Sequence, residues 1–210
     1  MKLGKNRSLC IGRQLGSDGR EIGREVAEEL GIRYYDKEIL QEALSRSELP
    51  REILEPYDEK KANSLLHTLY YQGSDTTLYG KSGSDILYEL QKRYILEEAQ
   101  KGPCVFIGRC ADAILREAGM DVLSVFIAAP YADRMERVKS RNSLPDRDAG
   151  NLIQKTDRQR RANYEYRTGR VWGDPAEYDL LVNSSAWDRK ALVQDLCRAY
   201  HDFVPVRQED

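Results

Sequence analysis

The stretch Ser8-Leu9-Cys10-Ile11-Gly12-Arg13-Gln14-Leu15-Gly16-Ser17-Asp18-Gly19-Arg20-Glu21-Ile22-Gly23 runs from a short apolar strand, Ser8 to Ile11, into a helix beginning near Arg20. Its layout is that of a loop that cradles phosphate. Such a loop needs glycines where the backbone turns with its N–H groups inward, and Gly16 and Gly19 meet that need. The helix behind it adds its first unpaired N–H groups and the positive end of its dipole. Against the pattern G-x-x-x-x-G-K-[ST], Gln14 takes the first place and Gly19-Arg20-Glu21 the last three, so glycine, lysine and hydroxyl are each replaced. Taken alone, the stretch reads equally well as an ordinary strand-to-helix turn.

Working outward, Ile22, Val26, Ala27 and Leu30 recur at helical spacing and Gly31 closes that helix. Ile32 to Tyr35 reads as a short strand ending at Asp36, and Lys37 to Leu44 as a second helix. From Ser45 to Ser84 the character changes: a helical part through Leu66 gives way to the polar, glycine-rich run Tyr70 to Gly83 with three tyrosines, of a length that is usually functional or mobile. A helix over Ser84–Gln100 leads into the apolar strand Cys104–Ile107, which stops at Gly108-Arg109; a short helix, Asp112 to Glu117, and a second buried strand, Val122–Ile127, follow. After a helix carrying Met135 and Val138, the segment from Arg141 to Asp174 is arginine-rich and almost free of large aliphatics. Tyr178–Asn183 is the last strand and Ala186–Tyr200 the last helix. Five strands alternating with helices predict an α/β fold, a three-layer α/β/α core on a five-stranded parallel sheet. Ligands of such sheets sit beyond the carboxyl ends of the strands, where the loop, Asp36, Gly108-Arg109 and Ala128-Ala129 all fall. The expected organisation is one domain over 1–210, with its core in 7–44, 84–140 and 175–203, an acceptor-binding insertion at 45–83 and a lid at 141–174.

Composition bounds the function. Lys and Arg number 33 against 35 Asp and Glu, a net charge of -2, so the surface as a whole is not built for nucleic acid or an anionic membrane. Any basic site is local. The four cysteines, Cys10, Cys104, Cys110 and Cys197, have no C-x-x-C or zinc spacing and read as reduced thiols of a cytoplasmic protein. No apolar run approaches the ~20 residues that span a bilayer, and no metal site is expected. His67 and His201 have no ligand partners nearby in sequence; Tyr34, Tyr35, Tyr70, Tyr71 and Tyr79 read as packing residues, and Trp172 as a hinge anchor for the lid. Oligomeric state leaves no signal.

Arg141, Arg147, Arg158, Arg160, Arg161, Arg167 and Arg170 crowd one segment that Gly150, Gly169 and Gly173 interrupt. Guanidinium groups fork onto phosphate oxygens and stay charged through a reaction, which suits a segment closing over a polyphosphate. On a helix, Arg160, Asn163, Tyr164 and Arg167 share one face. A solvated face paired with Asp157 and Glu165 is the plain alternative. The phosphate-type loop at the other end of the chain tips the balance toward a lid.

Gly16 to Gly23, Tyr34-Tyr35-Asp36-Lys37-Glu38-Ile39-Leu40, Ile107 to Leu115, the arginine segment, and Gly173-Asp174-Pro175 through Tyr178-Asp179-Leu180 together resemble the cytidylate-kinase-like proteins, a branch of the P-loop nucleoside monophosphate kinases. The resemblance spans about Leu9 to Leu196. It implies an ATP-dependent, Mg²⁺-requiring phosphotransferase that moves the γ-phosphoryl group to a small nucleotide acceptor such as CMP. The loop residues Leu15, Gly16, Ser17, Asp18, Gly19 and Arg20 would then hold the donor phosphates, Arg20 in the lysine's place, and Glu21 would face solvent, pair with Arg24 or contact the metal. Asp36, Arg109, Asp112 and Arg167 fall on the acceptor side, Arg158, Arg160 and Arg161 become the lid arginines that neutralise the transferring group, and Asn183 and Ser184 lie near the donor base. The chain departs from the family in the loop and again at Ile107 and Cys110, where carboxylates often flank Gly108-Arg109, leaving Asp36 and Asp112 to hold magnesium water or acceptor. A nucleotide-binding sensor or adaptor with a degenerate loop is the rival reading. RNA binding through the arginines is disfavoured by the acidic total and by aromatics that are not interleaved with basic residues.

Overall fold

The computed structural model describes residues 7–46, 77–78 and 81–204. In chain order the elements are β1 (Ser8–Arg13), α1 (Gly19–Leu30), β2 (Arg33–Tyr35), α2 (Glu38–Ser45), β3 (Thr77–Leu78), β4 (Lys81–Ser82), α3 (Gly83–Gln100), β5 (Cys104–Ile107), α4 (Ala111–Glu117), β6 (Val122–Ala128), α5 (Tyr131–Asn142), α6 (Asp146–Thr168), β7 (Leu180–Asn183) and α7 (Arg189–Asp202), with 3₁₀ turns at Pro175–Glu177 and Ser184–Ala186. Five strands form one parallel sheet in the order β2-β5-β1-β6-β7, as the alternation predicts. β3 and β4 pair antiparallel as a separate two-residue ladder. The expected helical part through Leu66, most of the tyrosine-rich run, His67, Tyr70, Tyr71 and Tyr79 lie outside the described residues.

The layers follow from the two-residue period of the strands. Leu9 and Ile11 of β1, Val105 and Ile107 of β5, and Leu123, Val125 and Ile127 of β6 share one face with Ile22 and Val26 of α1 and Leu192 and Leu196 of α7. Cys10, Cys104, Phe106 and Phe126 point the other way, onto Leu87 and Ile95 of α3 and Ile114 and Leu115 of α4. Leu9, Ile11, Phe106 and Ile107 are wholly buried, and each such side chain contributes on the order of 1.5–3 kcal/mol by leaving water. Because β1 lies in the middle of the sheet, the loop that leaves it opens at the centre of the carboxyl edge. All four cysteines are buried and free.

The arginine-rich segment is more ordered than its composition suggests. Residues 146 to 168 form one continuous helix of 23 residues, with Asp146 and Asp148 in its first turn and Arg167 in its last, each sign matching the dipole. Ala149 and Ile153 pack with Val138 of α5 and with Leu15 of the loop. Tyr164 joins the main core beside Tyr178 and Trp172. Three well-spaced apolar residues suffice to seat an otherwise polar helix.

Candidate functional site

The loop is held open by its own polar side chains. Gln14 N–H donates to the Ile127 carbonyl at 3.1 Å, the Gln14 Oε1 accepts from Ala129 N–H at 3.2 Å, and Ser17 Oγ donates to the Gln14 carbonyl at 2.9 Å. Glutamine in place of the usual glycine thus ties the start of the loop to the end of β6. Gly16 and Asp18 adopt left-handed backbone, with φ of 79° and 62°. Asp18 precedes α1 without capping it. Its carboxylate turns instead to three guanidinium groups, Arg141 at 2.7 Å, Arg189 at 3.6 Å and Arg137 at 3.7 Å. The first turn of α1 therefore keeps its N–H groups clear of the one side chain placed to consume them, and that end of the helix suits an anion. Arg137 also donates to the Gly16 carbonyl (3.1 Å) and to Ser185 Oγ (2.8 Å), and Ser184 Oγ donates to the Ser17 carbonyl (2.7 Å), so the turn after β7 closes one flank of the loop.

The other flank is built by β2 and β5. Asp36 follows β2 and is buried, with Arg20 Nε 2.5 Å from one carboxylate oxygen and Arg13 Nη2 3.8 Å from the other. After β5, Gly108, Arg109 and Cys110 all take left-handed backbone (φ 67°, 64° and 56°), closed by Ala111 N–H donating to the Gly108 carbonyl at 3.2 Å. For the two non-glycine residues this costs roughly 1–2 kcal/mol each. The wholly buried Gln91 of α3 holds the turn by donating to the Arg109 carbonyl at 2.8 Å. Strained backbone sustained by a dedicated buried amide marks a turn whose shape matters more than its cost. Asp112, in the first turn of α4, accepts a 2.7 Å hydrogen bond from Tyr164 Oη. Burial pushes its carboxyl up, with the Tyr164 hydroxyl and the helix N–H groups opposing that shift.

α6 lies across the crevice. Asp157 accepts from Leu15 N–H at 2.8 Å and from Arg134 Nη1 at 2.6 Å, Arg160 Nη1 donates to the Arg13 carbonyl at 3.0 Å, and Asn163 Nδ2 approaches Cys110 Sγ at 3.6 Å. Between helix and strand ends remains a cavity of about 30 Å³, bordered by Arg13, Gly108, Arg109, Asp112, Arg160 and Tyr164. That holds water but not a nucleotide, whose pockets run to roughly 300 Å³ and more.

The expected residues divide accordingly. Leu15 to Glu21, Asp36, Arg109, Asp112, Arg160, Asn183 and Ser184 come together around the loop and the adjoining strand ends. Glu21 faces Arg141 at 3.4 Å, while Arg24 pairs with Glu28. Asn183 accepts from Ser185 N–H, closing the turn after β7. Arg158 is exposed on α6, and Arg161 stands 5.9 Å from the Trp172 ring. Arg167 is bound at 2.5 Å to Asp85 of α3 and lies over Tyr88, at the contact of α3 with α6. Arg13, Gln91, Arg134 and Arg137 were not singled out by the motif; the signal for Arg13 was its place at the carboxyl end of the central strand. Among the described residues no group of three or more His, Cys, Asp or Glu stands ready to hold a metal, and none of their helices is long and apolar enough to cross a membrane.

A family model described as the cytidylate kinase-like family matches residues 8–186. A cytidylate kinase of Pyrococcus horikoshii is 29% identical over 128 residues, 61% of this chain and 65% of that protein's length, and one of Methanococcus aeolicus is 25% identical over 122 residues, 58% and 68% of the two lengths. This chain thus matches slightly under two thirds of the first of these. A crystal structure of an uncharacterized protein from Eubacterium ventriosum superposes with a TM-score of 0.67 at 21% identity, covering 93% of this chain and 99% of the other. A shikimate kinase from Bacteroides thetaiotaomicron does so at 0.55 and 14%, covering 94% and 99%. The likeness to these structures is one of fold, an α/β core on a five-stranded parallel sheet.

Proposed function

The chain belongs to the cytidylate kinase-like family, and from that premise we propose that it is a phosphotransferase, moving the γ-phosphoryl group of ATP to a nucleoside monophosphate of the cytidylate type. The observation that carries this reading is the crevice at the carboxyl edge of the sheet that Arg13, Arg109 and Arg160 border, with the uncapped start of α1 packed against the Arg13 stem. The helix end suits the donor phosphates. The arginines suit a second, anionic reactant. Mg²⁺ would supply charge neutralisation of the donor phosphates when bound; it keeps several waters and takes one or two carboxylates, and Glu21 and Asp36, now paired with arginines, are the carboxylates beside the loop that would hold it. A nucleoside monophosphate arrives already ionised, because its second pKa is about 6. No general base is then needed, and Asp36 is engaged by two guanidinium groups.

The test is a coupled assay for ADP release with ATP, Mg²⁺ and each nucleoside monophosphate in turn. Turnover with CMP or a close relative is expected, and no turnover with any nucleotide in folded protein that binds ATP would refute it. The commitment of Arg20 to Asp36 favours one second reading, a nucleotide sensor. Tight ATP binding indifferent to Mg²⁺, with no transfer, would establish that instead.

A further inference from the structure

We propose that Arg13, for which the loop motif has no place, is the guanidinium that meets the phosphoryl group during transfer, while Arg20 positions Asp36. This deepens the phosphotransferase reading and rests on it. Arg20 is the residue that stands where the pattern has lysine, but its Nε is spent on Asp36 at 2.5 Å and half of its side chain is in solvent. Arg13 is only 15% exposed and touches each part of the site. Its stem lies against the start of α1, where a Cβ added to Gly19 would come within 2.7 Å of Arg13 Cβ. Its guanidinium lies over the left-handed turn after β5, where a Cβ on Gly108 would sit 1.8 Å from Arg13 Nη1. Nη2 reaches toward Asp36 at 3.8 Å, and the backbone carbonyl accepts from the lid residue Arg160.

That path runs from the donor's end of the site to the acceptor's. A group passing from phosphates seated at the α1 terminus to an acceptor seated at the ends of β2 and β5 crosses it. In the transfer an acceptor oxygen forms a bond to the γ-phosphorus as the bond from that phosphorus to the β,γ-bridging oxygen breaks, with the electron pair leaving on ADP. Nothing is oxidised or reduced. Charge spreads over the three equatorial oxygens, and a fixed cation beside them, shielded from water, lowers the barrier more than it strengthens ground-state binding. Glycine at 19 and at 108 leaves the room that this side chain occupies, so two glycines of the site serve the placement of one arginine as well as backbone conformation.

The experiment compares wild type with R13A, R13K, R20A and R20K, measuring melting temperature, ATP affinity, and kcat and KM with ATP, Mg²⁺ and CMP, or whichever nucleotide of the panel turns over fastest. For R13A, kcat falls by about 100- to 1,000-fold, the loss typical of one preorganised donor to a transition state, with ATP affinity and acceptor KM little changed. R13K recovers little, because an ammonium does not reproduce the fork, and guanidinium ion added to R13A restores part of the rate. R20A instead raises acceptor KM more than it lowers kcat. The proposal is overturned if R13A or R13K keeps kcat near wild type, or if R20A shows the kcat-selective loss. Should R13A fail to melt cooperatively, R13K decides. A wild-type protein that neither binds ATP nor transfers phosphate defeats the phosphotransferase reading before any variant is made, and this assignment falls with it.

Discussion

Replacing Asp157 with alanine should loosen the hold of α6 on the loop and cost more than a typical surface change. The carboxylate is 17% exposed and its partner Arg134 9%, so the pair is largely shielded from solvent. One oxygen holds Leu15 N–H at 2.8 Å and the other the Arg134 guanidinium at 2.6 Å. Breaking a buried pair by deleting one partner costs roughly 3–5 kcal/mol, because a charge is left in poor surroundings. Here Arg134 keeps its bond to the Leu15 carbonyl at 3.2 Å and Asp157 is not wholly buried, which brings the expectation down to ~2–3 kcal/mol. In a chain of 210 residues that is a fall in Tm of about 5–10 °C. D157N should lie between, since the amide oxygen still accepts from Leu15 while its NH₂ faces a cation. The assay is urea or thermal unfolding of D157A, R134M and the double variant, read as a double-mutant cycle. A coupling energy above ~1 kcal/mol is expected between groups in direct contact. If D157A stays within ~0.5 kcal/mol of wild type, or the two changes simply add, the latch between α5, α6 and the phosphate-type loop does not exist as described.

Other predictions follow from the same contacts. Asp112 has a carboxyl raised by burial, so the folded state holds its proton more tightly than the unfolded chain and stability falls as pH rises through that range; Tyr164 Oη eases this, and Y164F should therefore cost ~2 kcal/mol at pH 7 and much less at acid pH. Equal losses at both pH values would show that the hydroxyl does not serve the charged form. Glu98 behaves oppositely: burial alone would raise its carboxyl, but Lys101, Tyr35 and Arg46 outweigh it and hold the group down at about 2 from an ordinary 4.5, so its contribution is present above the ordinary value and is lost as pH falls toward 2. E98Q should cost ~1–3 kcal/mol at neutral pH and nothing near pH 2, and a pH-independent deficit in urea titrations would contradict this. G108A places a Cβ at φ 67° and against Arg13 Nη1, so it should lose at least ~1–2 kcal/mol of stability and, in an active enzyme, lower kcat as R13A does; a variant with normal kcat would mean Arg13 need not lie where it does.

The sheet could be read from the chain because parallel strands buried on both faces leave continuous apolar runs, as in Cys104 to Ile107 and Val122 to Ile127, and because Gly31 and Gly102-Pro103 punctuate them. The helix α6 was harder to read. Its helical character rests on Ala149, Ile153 and Tyr164, which are too sparse to give a strong period, and its docking rests on Asp157 finding partners 142 and 23 residues away along the chain. Side-chain pairings across such separations leave no trace in a local pattern. The same holds for Gln91, whose buried amide steadies the Arg109 turn from a helix that nothing in the motif mentions.

Reading the loop by position alone equates Arg20 with the missing lysine, since both follow the last glycine. A lysine in that place works because its flexible stem carries a compact charge back over the loop, whereas arginine's guanidinium is planar and seeks a carboxylate for its fork. Once Asp36 stands buried at the end of β2, the first turn of α1 brings Arg20 beside it, and the pair forms at 2.5 Å. On the proposed assignment the cation at the centre of the site comes from elsewhere. Arg13 ends the central strand, and side chains there alternate between faces: Ile11 enters one core layer, and Arg13, two residues on and past the edge of that layer, is left pointing into the crevice between β1 and β5. With glycine at 108 the turn after β5 leaves room for its guanidinium, and with glycine at 19 the start of α1 leaves room for its stem. On the proposed assignment the two arginines divide the work: Arg20 ties down Asp36, and Arg13 brings its guanidinium to the centre of the site.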